Sequence, residues 1–315
     1  MRPFSSFVLG AAALAGSALL LAGQRNVRVA PDPDNAGLKL PTGFGALKVA
    51  ETGGKARHLA VTPQGVIYVK LYKAKEGKGI LALHSQPNGH ATISSGFGDY
   101  DGTGAYVKNG YLYASSNTAV YRYKLDAKGE VIAPTKPELL VSGLKVGSQH
   151  ESKSVVLDNA DNLYVNVGAY ANACQEQDRQ RGSKGRPNCP ILDSAGGIWT
   201  FKADKQNQHY ADGSRYATGL RNVVGLDWNP QDNQLFVMQH GRDQLHDNWP
   251  ALYTDAQSAV LPAECLYALK KGDNAGWPYT YYDPQKKQII EAPEYGGDGK
   301  TAPTEKYLEP AAAFP

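Results

Sequence analysis

The residue most capable of proton chemistry in this chain is His150, in the run GSQHESKS. A neutral imidazole accepts a proton near pH 7. His150 sits where a polar loop meets the apolar stretch 154–157, a place that suits a surface or capping histidine as well as a base. A second polar group brackets a pair of apolar runs, Val223–Trp228 and Gln234–Met238. Arg221 and Asn222 precede the first run, and His240, Gly241, Arg242 and Asp243 follow the second. A rigid sheet with polar groups crowded at its rim is a common way to build a site.

Other motifs carry less. GFGDYDG (96–102) has the wrong glycine spacing for a dinucleotide loop. Asp99-Tyr100-Asp101-Gly102 lacks the later glutamate of a calcium loop and reads as a solvated turn. No HExxH, GxSxG or P-loop is present, and Ser183 has no local base.

The elements that must hold these residues read as β-strands. Val223–Trp228 and Gln234–Met238 are joined by Asn229-Pro230-Gln231-Asp232-Asn233, a strand, turn and strand. The same pattern occurs in HLAVTPQGVIYVKL (58–71), GAYVKNGYLYAS (104–115) and SVVLDNADNLYVNVG (154–168), so that there are four copies with VVGLDWNPQDNQLFVMQ (223–239). Later runs at 119–123, 197–201 and 265–269 supply a third strand to three of them. A repeat of this period, with Gly, Asn and Pro interrupting every helical reading, predicts an all-β fold, a β-propeller of about four blades. Gly43–Ala50 is expected as an opening strand, and 279–315 as a loop-rich tail. That tail ends in the apolar run Ala311–Pro315, as though stopped within an element, which suggests an incomplete propeller over 43–315.

Composition agrees with an all-β protein: 34 Gly and 19 Tyr in 315 residues. Net charge is +3, with Arg2, Arg25 and Arg28 near the N-terminus, so the body is close to neutral and carries no basic stripe for nucleic acid. Residues 1–23 read as an export signal or an N-terminal anchor, with Phe7–Ala22 as the apolar stretch, and 24–42 as a linker. Either reading places the body outside the cytoplasm, in the periplasm or secreted. There Cys174 and Cys189 are expected to pair across a polar loop, while a metal site would need further Cys or spaced His. Cys265 is left over, as a buried thiol or one whose partner is not in this chain.

Taken together, GSQHESKSVVLDNADNLYVNVG, LRNVVGLDWNP, QHGRD and KKGDNAGWP resemble the glucose/sorbosone dehydrogenase family, from about Leu40 onward, and more its sorbosone branch. The resemblance implies an exported six-bladed propeller that oxidises a sugar or sugar aldehyde with pyrroloquinoline quinone (PQQ) and calcium. The resemblance leaves the electron acceptor, a quinone or a cytochrome, open. Carried over by position, His150 matches the base and Arg221 the cation beside the quinone oxygen. Asn222 matches a cofactor-binding neighbour, and Gly241 and Arg242 the pair whose backbone carbonyls hold calcium. Gln149 and Lys153 flank the base on the cofactor side, and Asp243 is either a partner of that site or a turn residue. The glutamine of the soluble glucose branch is absent near Thr103–Gly104. The family's later basic residues for the cofactor carboxylates have no counterpart before Pro315, which implies that this chain alone is inactive. A calcium-dependent propeller lactonase and a non-catalytic binding propeller are the alternatives that the fold also admits.

Overall fold

The computed structural model describes residues 29–315. The export signal or anchor read at 1–23 lies outside the described residues. Residues up to Leu47 form a unit of their own, whose described part holds a 3₁₀ turn, Asn35–Gly37. The Asp34 carboxylate accepts from the Ala36 N–H at 3.1 Å to start that turn.

Lys48–Pro315 is the propeller body. Blade one holds β1 (Ala56–Val61), β2 (Val66–Lys75), β3 (Lys78–Ser85) and β4 (Ala91–Phe97) in that order. Blade two holds β5 (Ala105–Lys108), β6 (Tyr111–Ser115), β7 (Val120–Lys124) and β8 (Glu138–Ser142). In blade three, β9 (Val155–Leu157) and β10 (Asn162–Val167) lead to β11 (Gly197–Lys202). The chain then adds a short strand, β12 (Gln208–His209), parallel to β8 of blade two, before β13 (Ser214–Thr218) completes blade three. Blade four is β14 (Asn222–Asn229), β15 (Gln234–His240) and β16 (Glu264–Leu269), then a separate hairpin, β17 (Thr280–Asp283) with β18 (Gln288–Glu291). Its outer strand, β19 (Ala312–Phe314), pairs antiparallel with β16.

Alternation along each strand explains why the repeats read as continuous apolar runs. Successive side chains point to opposite faces, and in blades two and three both faces are buried against neighbouring blades. Leu163, Val165 and Val167 of β10 enter the core shared with blade two, while Tyr164 between them enters the core shared with blade four. Trp199 and Phe201 of β11 face the first core and Ile198 the second. Tyr68, Ile80, Phe97, Leu112 and Tyr123 fill the equivalent space between blades one and two.

Three sequence expectations are corrected. Each blade has at least four strands rather than three, and β12 adds a fifth to blade two. The outer strand β4 is largely exposed, β13 is buried at one position only, and neither carries an apolar run to betray it. The tail contains the hairpin β17–β18 and supplies β19, so Ala311–Pro315 is an outer strand with its flanks. Gly43–Ala50 is not a strand: Gly43 turns at φ 91°, Phe44 and Val49 are exposed, and no ladder forms there.

The first strands of the four blades line a cavity of about 220 Å³, with His58, Tyr106, Ser154 and Asp227 on its wall. His58 of β1 spans two other blades: its ring nitrogens lie 2.6 Å from the Thr103 carbonyl and 2.8 Å from the Val224 carbonyl. The Ser154 hydroxyl donates to the same Val224 carbonyl at 2.6 Å.

Candidate functional site

In an antiparallel pair the start of one strand lies beside the end of the next. The segment before β9 and the end of β10 therefore share a rim, as do the start of β14 and the end of β15. This rule gathers His150, Ala169, Arg221 and Gly241–Asp243, which are scattered in sequence.

Ala169, just past β10, joins the two halves. Its carbonyl accepts from Nδ1 of His150, and its N–H donates to the Arg221 carbonyl at 2.8 Å. Because Nδ1 faces a carbonyl, it carries the proton of the neutral ring. Nε2 is then left with a lone pair. Burial pushes the His150 pKa down to about 4, and the Arg221 charge adds to this; the Ala169 carbonyl and Asp243 oppose it. His150 also has φ 54°, a backbone conformation that a residue with a Cβ adopts where its surroundings impose it.

Arg221 is only 3% exposed. Its guanidinium donates to the Asn172 carbonyl (3.1 Å), to the Gly241 carbonyl (2.6 Å) and to Oδ2 of Asp243 (2.8 Å). Its own N–H donates to Oε1 of Gln239 at 2.8 Å. Burial lowers its pKa, with Asp243 pulling the other way. Asp243 is a partner of this cluster and not a turn residue alone: Oδ2 also accepts from Arg179 at 2.9 Å. Burial raises its pKa, but the two guanidiniums outweigh this and hold it below the ordinary range.

Gln149 is clamped at both ends of its amide. Nε2 donates to Asp178 at 2.6 Å, and Oε1 accepts from Nε (3.0 Å) and Nη2 (2.6 Å) of Arg179. Asn222 opens β14, and its buried Oδ1 has no hydrogen-bond partner among the described residues. A Cβ placed on Gly168 would lie 3.5 Å from that oxygen and 2.7 Å from the His150 carbonyl. Gly168 thus keeps the space between His150 and Asn222 free of a side chain.

Two further residues of the expected set have buried side chains, and for Arg242 it was the backbone carbonyl that the resemblance singled out. The Lys153 ammonium is fully buried and donates to the Glu151 carbonyl at 2.9 Å; burial lowers its pKa to about 8. The Arg242 side chain turns to a buried ion pair with Glu294, whose other oxygen accepts from Trp249 Nε1 at 2.8 Å. Among the described residues no group of three or more His, Cys, Asp or Glu could hold a metal ion.

Sequence reading missed Asn172, Asp178 and Arg179. All three lie in or beside the loop closed by the Cys174–Cys189 disulfide, and Asn172 does the most. Its carbonyl accepts from Arg221 and, at 3.0 Å, from Trp277 Nε1, while its amide pairs with both the N–H and the carbonyl of Asp243 at 2.9 Å. The density of polar residues between the two cysteines was the available signal. Cys265 is a buried free thiol.

A family model described as TrAA12-like matches residues 38–288. No curated protein matches the sequence. Among solved structures, a Trichoderma reesei protein of Carbohydrate-Active Enzymes Family AA12, in its iodide structure, aligns with TM-score 0.62 and 16% identity, covering 84% of this chain and 69% of that one. The holo PQQ domain of pyranose dehydrogenase from Coprinopsis cinerea aligns at 0.60 and 19% identity, covering 78% and 60%. The PQQ-bound aldose sugar dehydrogenase from Streptomyces coelicolor aligns at 0.52 and 20% identity, covering 84% and 70%. At these identities the structural likenesses establish the propeller fold.

Proposed function

The chain belongs to the TrAA12-like family, and from that premise we propose that its rim site is that of a PQQ-dependent oxidoreductase acting on a sugar or sugar aldehyde. The observation that carries this reading is the Ala169 peptide, which fixes an imidazole with a free Nε2 beside a buried guanidinium.

The residues present fit an ortho-quinone with ring N–H and carboxylate groups. Of the five guanidinium N–H groups of Arg221, three are used, which leaves two for a ligand oxygen. The unpartnered Oδ1 of Asn222 needs a donor. Gly168 leaves room between them. When bound, PQQ would supply a hydride acceptor. His150 would take the substrate hydroxyl proton on Nε2, and Arg221 would stabilise negative charge from a fixed position without reorganising. An anionic ligand beside His150 would raise its proton affinity from the low value of the free site.

Calcium fits less well. The Gly241 carbonyl already accepts from Arg221 at 2.6 Å. A calcium ion at roughly 2.3–2.6 Å from the same oxygen would stand against a guanidinium. No step is assigned to a metal.

Export fits the Cys174–Cys189 disulfide, which persists in oxidising compartments. Among the described residues no helix is long and apolar enough to cross a membrane. Sorbosone and aldoses are the substrates to try. The test is reconstitution of the full chain with PQQ, with and without calcium, following reduction of an artificial electron acceptor. PQQ-dependent turnover of at least one sugar, lost in His150→Ala, is the result that the rim geometry predicts, against the inactivity that the resemblance alone implied. No PQQ-dependent turnover across the panel would sink the reading.

A further inference from the structure

The loop closed by Cys174–Cys189 is built around a buried side chain, Gln175. Its Oε1 accepts from the Arg179 N–H at 2.8 Å, and its Nε2 donates to the carbonyls of Gln180 and Ser183, each at 3.2 Å. Within that frame Arg179 is held at φ 59°, a left-handed backbone that its Cβ disfavours. The guanidinium is aimed out of the loop, onto Gln149 on one side and Asp243 on the other. Nη1 donates to Gln244 at 2.8 Å. Among the described residues, Arg179 is the side chain that hydrogen-bonds both to the neighbour of His150 and to the carboxylate that holds Arg221.

We propose that Arg179 is a positioning residue that couples His150 to Arg221 through Gln149 and Asp243, and that the Cys174–Cys189 disulfide keeps it in place. The inference deepens the functional reading above and rests on it for the meaning of the two coupled groups. A lysine would supply the charge but not the fork, since a guanidinium presents several N–H groups in one plane. The charged groups that face His150 are Arg221 and Asp243 from blade four and Arg179 from the loop. On its own segment Glu151 is turned to Asn117 at 2.9 Å, and Lys153 to the Glu151 carbonyl.

The test follows the His150 ring proton by NMR against pH in the cofactor-free full chain, with His150→Gln to assign the signal. Arg179 pushes the His150 pKa down. Arg179→Gln is expected to raise the midpoint by about half a unit to one unit, and Arg179→Lys, which keeps the charge without the fork, to recover only part of the shift. Reduction of the wild-type disulfide removes no charge, yet it should raise the midpoint by a similar amount, because the freed loop no longer presents Arg179. A midpoint unmoved in folded Arg179→Gln overturns the role of Arg179. One unmoved on reduction overturns the role of the disulfide. Unchanged titration of the other histidines shows that a sample is folded; should Arg179→Gln fail this check, the reduced wild type decides. Titrating the same samples with PQQ separates the two ideas: wild type that binds no PQQ but shows both shifts removes the functional reading and leaves the positioning role.

Discussion

Burial of a neutral His150 makes the fold acid-sensitive in a way that one substitution should remove. The His150 pKa is about 4 in the folded chain, against an ordinary value of 6.5. Its folded value is depressed, so the unfolded chain binds the proton first as pH falls. The contribution of this group to stability is fully present above 6.5 and is lost as pH falls from there towards 4. Between pH 7 and pH 5 the linkage relation gives a loss of about 2 kcal/mol from this group. That is a large share of the roughly 5–15 kcal/mol that a folded protein commands. The assay is urea unfolding at the two pH values for wild type and His150→Gln. Glutamine can still donate to the Ala169 carbonyl but does not titrate. Other groups titrate alike in both proteins, including His240, whose pKa the Glu264 hydrogen bond raises, so the difference isolates His150. Wild type should lose about 2 kcal/mol more than the variant. Equal losses, within an extrapolation error of about 0.5 kcal/mol, would refute the claim that the site holds a buried neutral imidazole.

Two further outcomes follow from the site's surroundings. Glu294→Ala strands the buried Arg242 guanidinium and removes the acceptor of Trp249 Nε1, so urea unfolding should show a loss of about 3–5 kcal/mol. Glu294→Gln, which retains an acceptor for Trp249, should lose less. Gly168→Ala puts a methyl group 2.8 Å from the His150 Cβ, so it should displace the imidazole and lower PQQ-dependent turnover by about tenfold or more, with a stability loss of about 1–3 kcal/mol.

The blade cores were legible in the sequence because their strands are covered on both faces. Val155–Leu157 and Asn162–Val167 read as one apolar hairpin, since Leu163 and Tyr164 serve different cores. The outer strands were not legible, because Ala91–Phe97 and Ser214–Thr218 meet solvent and need no apolar pattern. At the site, His150 and Arg221 stood out by type, and the hairpin rule brings their rims together. Their actual link, a hydrogen-bond bridge through the Ala169 backbone, has no side-chain signature. Asn172, Asp178 and Arg179 lie in an irregular loop without period, and their partners are up to 105 residues away in sequence. Such convergence is a tertiary fact. The same limit applied to Arg242: its position in QHGRD gave no hint that its side chain is spent on Glu294.

The most direct measurement is a single turnover. The chain is loaded with PQQ, excess aldose or sorbosone is added without oxygen, and the quinone absorption is followed. The account predicts that the absorption bleaches with wild type, and that His150→Ala binds PQQ but leaves it unbleached. Bleaching at the same rate in both proteins, or tight PQQ binding with no bleaching by any sugar in wild type, would contradict it.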